Sequence, residues 1–273
     1  MDWRLKCLAF HLVGWSPSVH SLLQRTVTGR YFRKVTPALL TAYGYHLERF
    51  QGGRALEFGA GPDLICPLLL SHAGADEVLA YDLNRLATPE RVNAVVAQLR
   101  DHVGGPWPFV KNLDEDLIRQ YRIRYLAPAD ARQTGLPRGS IDFVCSTSVL
   151  EHIPPVDIAA ILAEMKRVAK PMTIHSAIVD YHDHYATADP GISQFHFYRY
   201  SAGAWRWFNP GSHFQNRLRH SDYLKLFADY EIVEARAVVL NTSLDGVVVA
   251  PDFRHYSQQD LLALNGFFAL RNR

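Results

Sequence analysis

Cysteine is scarce in this 273-residue chain: Cys7, Cys66 and Cys145 are odd in number and lack C-x-x-C spacing. That leaves no disulfide framework and fits a reducing, cytoplasmic compartment. Net charge is also nearly absent. At +2 it is too small to argue for nucleic acid or a membrane surface as partner. The basic clusters Arg119 to Arg124 and Arg217 to His220 read as solvated faces. No apolar run approaches the about 20 residues a membrane span needs. Leu5 to Trp15 is interrupted by His11 and Gly14 and has no small-residue cleavage site, so it reads as an amphipathic helix. No internal repeat or low-complexity tract occurs. No Gly-Lys-Ser/Thr follows the glycines, which excludes a P-loop. What remains, 48% hydrophobic and 21% charged residues, can bury one α/β core with additions, or two domains at most.

The stretch Arg54 to Asp63, RALEFGAGPD, organises the rest. Ala55, Leu56 and Phe58 form a short apolar run suited to a buried parallel strand, and Gly59, Ala60 and Gly61 follow at once. Leu64 to Ser71 then reads as a helix packed on a sheet. Strand, glycine turn and helix make the first βα unit of a doubly wound sheet, whose ligands sit beyond the carboxyl ends of the strands. A dinucleotide fingerprint would carry a third glycine where Leu64 stands, which weakens a nicotinamide reading. The surviving pattern, E-x-G-x-G with Glu57 at the strand end, resembles motif I of the class I methyltransferases that use S-adenosylmethionine. That cofactor has no phosphates, and its cationic groups suit a carboxylate. The resemblance implies cofactor contacts from Glu57, Gly59, Ala60 and Gly61.

The chain order extends the resemblance from Arg54 to about Val179. Glu77 to Tyr81 is a second strand ending at Asp82, which lies about 20 positions beyond the glycines, where a carboxylate can accept from both ribose hydroxyls. Its other reading, a helix N-cap, is better served by Thr88. Leu83 is counted with it as a cofactor contact. Pro89 to Val103 and Leu113 to Gln120 read as helices, and Ile123 to Leu126 as a third strand. In the resembled family an Asp after this strand contacts the adenine amine. Asp130, with Ala131 beside it, matches, although Asp in a proline-containing turn is also ordinary turn chemistry. Gly139 to Ser146 is a turn and a fourth strand, and the following T-S-V-L-E-H-I-P resembles motif IV. Ser146 and Thr147 join the implied cofactor contacts. A helix from Val156 to Ala169 leads to a fifth strand, Met172 to Val179. Alternation at this spacing implies a parallel sheet.

Methyl transfer to a hydroxyl needs positioning and removal of one proton, so histidines beyond strand ends draw attention. His152 follows the fourth strand, where it either serves as base or only shapes the cofactor pocket. After the fifth strand, Asp180 to Tyr185 (DYHDHY), Gln194 to Tyr200 (QFHFYRY), Trp205, Trp207 and Phe208 concentrate donors, acceptors and stacking faces suited to a polar ring. His182, Asp183 and His184 are expected to act as base or acceptor contacts, with Tyr181, His196, Tyr198, Arg199 and Arg217 binding the substrate. Arg217 or Arg219 could hold an anionic acceptor or form structural pairs. In extended backbone His182 and His184 would share a side with Asp183 turned away. A metal is not expected, because no second ligand pair at zinc spacing accompanies them.

Val35 to Arg49 has helical spacing with Pro37 near its start, and Tyr31, Phe32 and Tyr43 either line a lid or pack the added helices. Ser221 is a plausible N-cap for a helix from Asp222 to Phe227. Ile232 to Val239 and Gly266 to Leu270 supply two final strands, and Leu244 to Gln259 is left unassigned. The expected fold is α/β, a Rossmann-like, doubly wound, seven-stranded and mostly parallel sheet with an antiparallel final strand. It divides into a helical cap (1–53), a cofactor-binding core (54–179), a substrate-selecting insertion (180–220) and the rest of the sheet (221–273). The resemblance implies an S-adenosylmethionine-dependent enzyme of the kind encoded with glycan or natural-product pathways. O-methylation of a small-molecule acceptor with histidine assistance is the expected reaction. N- or C-methylation, a non-catalytic cofactor-binding protein and a dinucleotide oxidoreductase are the alternatives.

Overall fold

The computed structural model describes residues 2–14 and 33–273. Among these residues two helices precede the sheet, α1 (Trp3–Gly14) and α2 (Pro37–Leu47), the second capped by the Thr36 hydroxyl, which accepts from the Leu39 amide. Then follow β1 (Arg54–Phe58), α3 (Ile65–His72), β2 (Glu77–Tyr81), α4 (Pro89–Val103), α5 (Leu113–Tyr121), β3 (Ile123–Leu126), β4 (Ile141–Thr147), α6 (Pro155–Val168) and β5 (Ala169–Asp180). The remainder comprises the short helices α7 (Ala202–Trp205) and α8 (His220–Leu226), β6 (Glu231–Val239), α9 (Gln258–Leu262) and β7 (Ala263–Arg271). Tyr31 and Phe32, expected at a lid, lie outside the described residues. Tyr43 is buried in the core.

The seven strands run β3-β2-β1-β4-β5-β7-β6. β7 is antiparallel to both of its neighbours, β5 and β6, and the other pairings are parallel. Because successive strand residues face opposite ways, the sheet separates two cores. Ala55, Val78, Ala80, Phe143 and Cys145 pack on one side with α3, α4 and α5, while Leu56, Leu79, Val144 and Val179 pack on the other with α6 and α8. The strand order reverses between β1 and β4, which places a crevice at their carboxyl ends.

A third cluster is made without the sheet. Trp3 and Cys7 of α1 join Tyr185, Phe195, Phe197, Tyr198 and Trp205, together with Ala250, Phe253, Leu261 and Leu262. The unassigned 244–259 stretch is therefore the other wall of the insertion's own core. Two buried arginines tie it together. Arg217, buried with φ 62, donates to the carbonyls of Phe197 and Tyr200, and Arg219 donates to those of Tyr181, Asp260 and Ala263. One expectation needs correction: α8 starts at His220, so Ser221 lies inside its first turn, and the Arg219 amide is instead received by the Asp222 carboxylate at 3.0 Å.

Candidate active site

The glycine turn after β1 is tied to the end of β2. The amides of Gly59 and Ala60 donate to the Tyr81 carbonyl at 2.8 and 3.0 Å, and the Gly61 amide donates to Asp82 Oδ2 at 3.0 Å. Gly59 and Gly61 have φ of 74° and 72°, a backbone region in which side chains are strained. A Cβ at Gly61 would project into open space. Leu64, where a third glycine would stand, keeps the left-handed backbone at φ 54 with its side chain fully buried. The Asp82 amide bonds the Leu126 carbonyl and the Ala129 amide returns to the Asp82 carbonyl, which brings the β3 turn carrying Asp130 and Ala131 alongside. Burial raises the Asp82 pKa against the Asn84 and Gly61 amides that lower it. Leu83 is exposed, and the Asp130 carboxylate is already gripped by the Arg132 guanidinium.

Glu57 is 2% exposed, and its Oε2 has no hydrogen-bond partner. Burial pushes its carboxyl up to about 8, with the Cys66 thiol opposing. An orphaned acidic oxygen at the strand end, beside an open glycine turn and a carboxylate on the next strand, fits a ligand with a cationic group and a ribose. Ser146 is buried, and Thr147 accepts or donates one bond with His46. His46 of α2 also meets Ser176, and its burial lowers its pKa to about 3, so the ring is a neutral link between α2, β4 and β5. Nothing local in the sequence marked His46, because its partners lie over a hundred residues away.

Beyond β4 and β5 a second group assembles. Ser148 takes a left-handed turn at φ 52, and Leu150–His152 form one 3₁₀ turn. The His152 ring lies 4.8 Å from that of His184, and the His184 ring 5.3 Å from that of His182. His182 Nδ1 is bonded to Asp180 Oδ1 and His184 Nε2 is 3.6 Å from Asp180 Oδ2. The strap Phe214-Gln215-Asn216 holds the two turns in place. His152 Nδ1 meets the Phe214 carbonyl at 2.8 Å, Gln215 Nε2 donates to the His182 carbonyl, and Asn216 donates to the carbonyls of Leu150, Glu151 and Ile153.

The electrostatics differ from ring to ring. Burial lowers the His152 pKa, helped by His184 and opposed by the Phe214 carbonyl. Burial also works to lower His182, but the bond and charge of Asp180 overcome it and the net shift is upward. Asp180 is held far below the usual carboxylate range: burial opposes this, and the bond of His182 together with the two neighbouring imidazoles outweighs it. Glu151, 2% exposed with both oxygens unpartnered, is raised well above its ordinary value, first by burial and then by the Asp180 charge.

The structure thus brings together His152, His182 and His184, and adds Asp180 and Glu151. It does not bring Asp183 to them. Asp183 is fully buried on the opposite side, where it bonds His196 Nδ1 at 3.2 Å and the Tyr185 amide. Tyr181 and Tyr198 are core residues whose hydroxyls bond His220 and the Leu261 carbonyl. Arg199 and His196 line a separate hollow of about 210 Å³ with Gly191 and Val248. Arg217 sits between the Trp205 and Phe253 rings, and burial lowers its pKa to about 10. No helix among the described residues is long and apolar enough to cross a membrane.

A family model described as a methyltransferase domain matches residues 23–231. No curated protein matches the sequence. A crystal structure of an S-adenosylmethionine-dependent methyltransferase from Methanosarcina mazei is similar at a TM-score of 0.51 and 15% identity, over 88% of this chain and 99% of that one. The geranyl diphosphate C-methyltransferase of Streptomyces coelicolor A3(2), solved with Mg2+, geranyl diphosphate and S-adenosyl-L-homocysteine, is similar at 0.50 and 10%, over 86% of this chain and 77% of that one.

Proposed function

We propose an acceptor and a mechanism for a chain that belongs to the methyltransferase-domain family and is a class I S-adenosylmethionine-dependent methyltransferase. It O-methylates a small polar acceptor, such as a sugar or a phenol, with His182 as the base and Asp180 as the residue that positions it. The observation carrying this reading is the His182–Asp180 pair, seated at the carboxyl end of β5 beside the motif IV turn.

When bound, the cofactor supplies a methyl group already activated by its sulfonium. Gly61, Asp82 and the turn from Ala129 to Ala131 would receive its nucleoside, and Glu57 its cationic end. A carboxylate oxygen can only accept, so neutral His182 carries its proton on Nδ1 toward Asp180 and leaves Nε2 free. As the acceptor oxygen takes up the methyl group, its proton would pass to His182 Nε2, and the cofactor would supply the leaving thioether. The Asp180 carboxylate then stabilises the imidazolium, as in other oriented histidine bases.

The test is a screen of sugars and phenols with methyl-labelled cofactor, followed by His182→Gln on the best acceptor. General-base loss is expected to lower kcat by about 10²- to 10⁴-fold while cofactor affinity is unchanged. Intact turnover in single replacements of His152, His182 and His184 would end the proposal, and label on carbon or nitrogen would replace it with C- or N-methylation.

A further inference from the structure

Among the described residues neither side-chain oxygen of Glu151 has a hydrogen-bond partner. Asp180 has two histidine partners, whereas both Glu151 oxygens are buried and unbonded beside it. A group so placed must stay protonated or meet a cation. Ligand atoms of Glu151, His152 and His184 lie within 4.8 Å of one another. An ion held at about 2.1 Å from each ligand spans pairs up to about 4.2 Å apart, so small turns of the two imidazoles would close the set. The His152 tautomer is already the one a ligand needs: Nδ1–H is committed to the Phe214 carbonyl and Nε2 is free. His184 is fixed from behind by its backbone, whose amide meets Gln215 and whose carbonyl accepts from Lys6.

We infer that Glu151, His152 and His184 bind one divalent transition-metal cation of zinc-like softness. Two imidazoles and one carboxylate disfavour Mg2+ and Ca2+, which prefer all-oxygen shells, and leave open positions on the ion. The second triad the cluster offers, Asp180, His182 and His184, is set aside, because Asp180 and His182 are bonded to each other, whereas His184 stands 3.6 Å from Asp180, beyond a hydrogen bond. The cation would replace the proton on Glu151 and present an acceptor hydroxyl to His182. This role rests on the proposed methyltransferase chemistry, while the binding does not. Sequence spacing pointed away from a metal, since α6 and β5 separate His152 from His184.

The protein is loaded with Zn2+, exchanged into metal-free buffer and measured by elemental analysis, with Mg2+ in parallel. One zinc per chain is expected, with no magnesium retained. His152→Ala and His184→Ala should each weaken zinc binding by about tenfold or more, and His102→Ala, exposed on α4, should leave it unchanged. S-adenosylmethionine titration of the same samples separates the two questions: normal cofactor affinity shows a folded variant whatever the metal does. If the alanine variants lose the cofactor as well, Glu151→Gln decides, and it should lose zinc while keeping the cofactor. Absence of zinc from the parent protein, retention in Glu151→Gln or His184→Ala, equal loss in His102→Ala, or preference for Mg2+ would each overturn the site.

Discussion

A Cβ on Gly59 would lie 2.3 Å from Cγ2 of Val149, so the glycine turn after β1 and the motif IV turn after β4 are packed on each other without room for one methyl group. Gly59→Ala adds that clash to a positive-φ penalty and should cost about 2–4 kcal/mol of stability. Val149→Ala in the same chain should recover the steric share. A denaturation double-mutant cycle with no coupling between the two sites would contradict the contact.

Asp82→Ala removes both the acceptor of the Gly61 amide and the expected ribose contact. A charge-assisted hydrogen bond is worth about 1.5–3 kcal/mol, so affinity for S-adenosylmethionine and its demethylated product should fall roughly 10- to 100-fold. Calorimetric titration reads this directly, with NADH as control. Binding of NADH in place of both would contradict the cofactor.

Glu57 is protonated at neutral pH because its pKa is raised from 4.5 to about 8. A cationic ligand group beside it must draw the proton off. Cofactor binding at about pH 6.5 should therefore release close to one proton, and at about pH 9 almost none. Calorimetry in buffers of different ionisation heat tests this, and a buffer-independent enthalpy in the Glu57 parent at pH 6.5 would count against the contact.

In the proposed mechanism His182 acts as base in its neutral form, and the bond and charge of Asp180 outweigh burial to raise its pKa above the ordinary 6.5. The turnover profile should therefore still be rising above pH 6.5. In Asp180→Asn the upward pull is lost, so the midpoint should move down while the plateau falls. The same shift stabilises the fold below pH 6.5 and is lost as pH rises through the folded pKa. Unmoved midpoints in Asp180→Asn would assign the titration to another group.

Arg219 is fully buried, and its donors meet three backbone carbonyls at distances from 2.5 to 3.1 Å. Arg219→Met leaves those carbonyls unpaired and should cost about 3 kcal/mol or more. Arg219→Lys should restore little, since one ammonium cannot reproduce the planar fork. A loss of acceptor affinity at unchanged melting temperature would return Arg219 to the substrate site.

By itself the sequence determined the alternating strands and helices, the glycine turn with Glu57 and Asp82, and the motif IV turn at His152. Each rests on residues near one another in the chain: apolar periodicity, a turn that needs glycine, a proline that opens a helix. The alternation expected of extended backbone at 182–184 does not apply, because β5 ends at Asp180, and a bend and a turn bring His182 and His184 to that carboxylate. Tertiary structure alone decided what those residues face. His152 reaches His184 because the Phe214–Asn216 strap pulls two distant turns together, and His46 is neutral because α2 folds it against β4 and β5. Arg217, Tyr181 and Tyr198 carry polar groups that a binding site could use, yet the insertion closes around Arg217 and Tyr198 with residues 244–262, and Tyr181 is buried in the sheet's core beside Tyr223 and Phe268. Burial and long-range hydrogen bonding depend on which surfaces meet, and no local pattern of residue types encodes that.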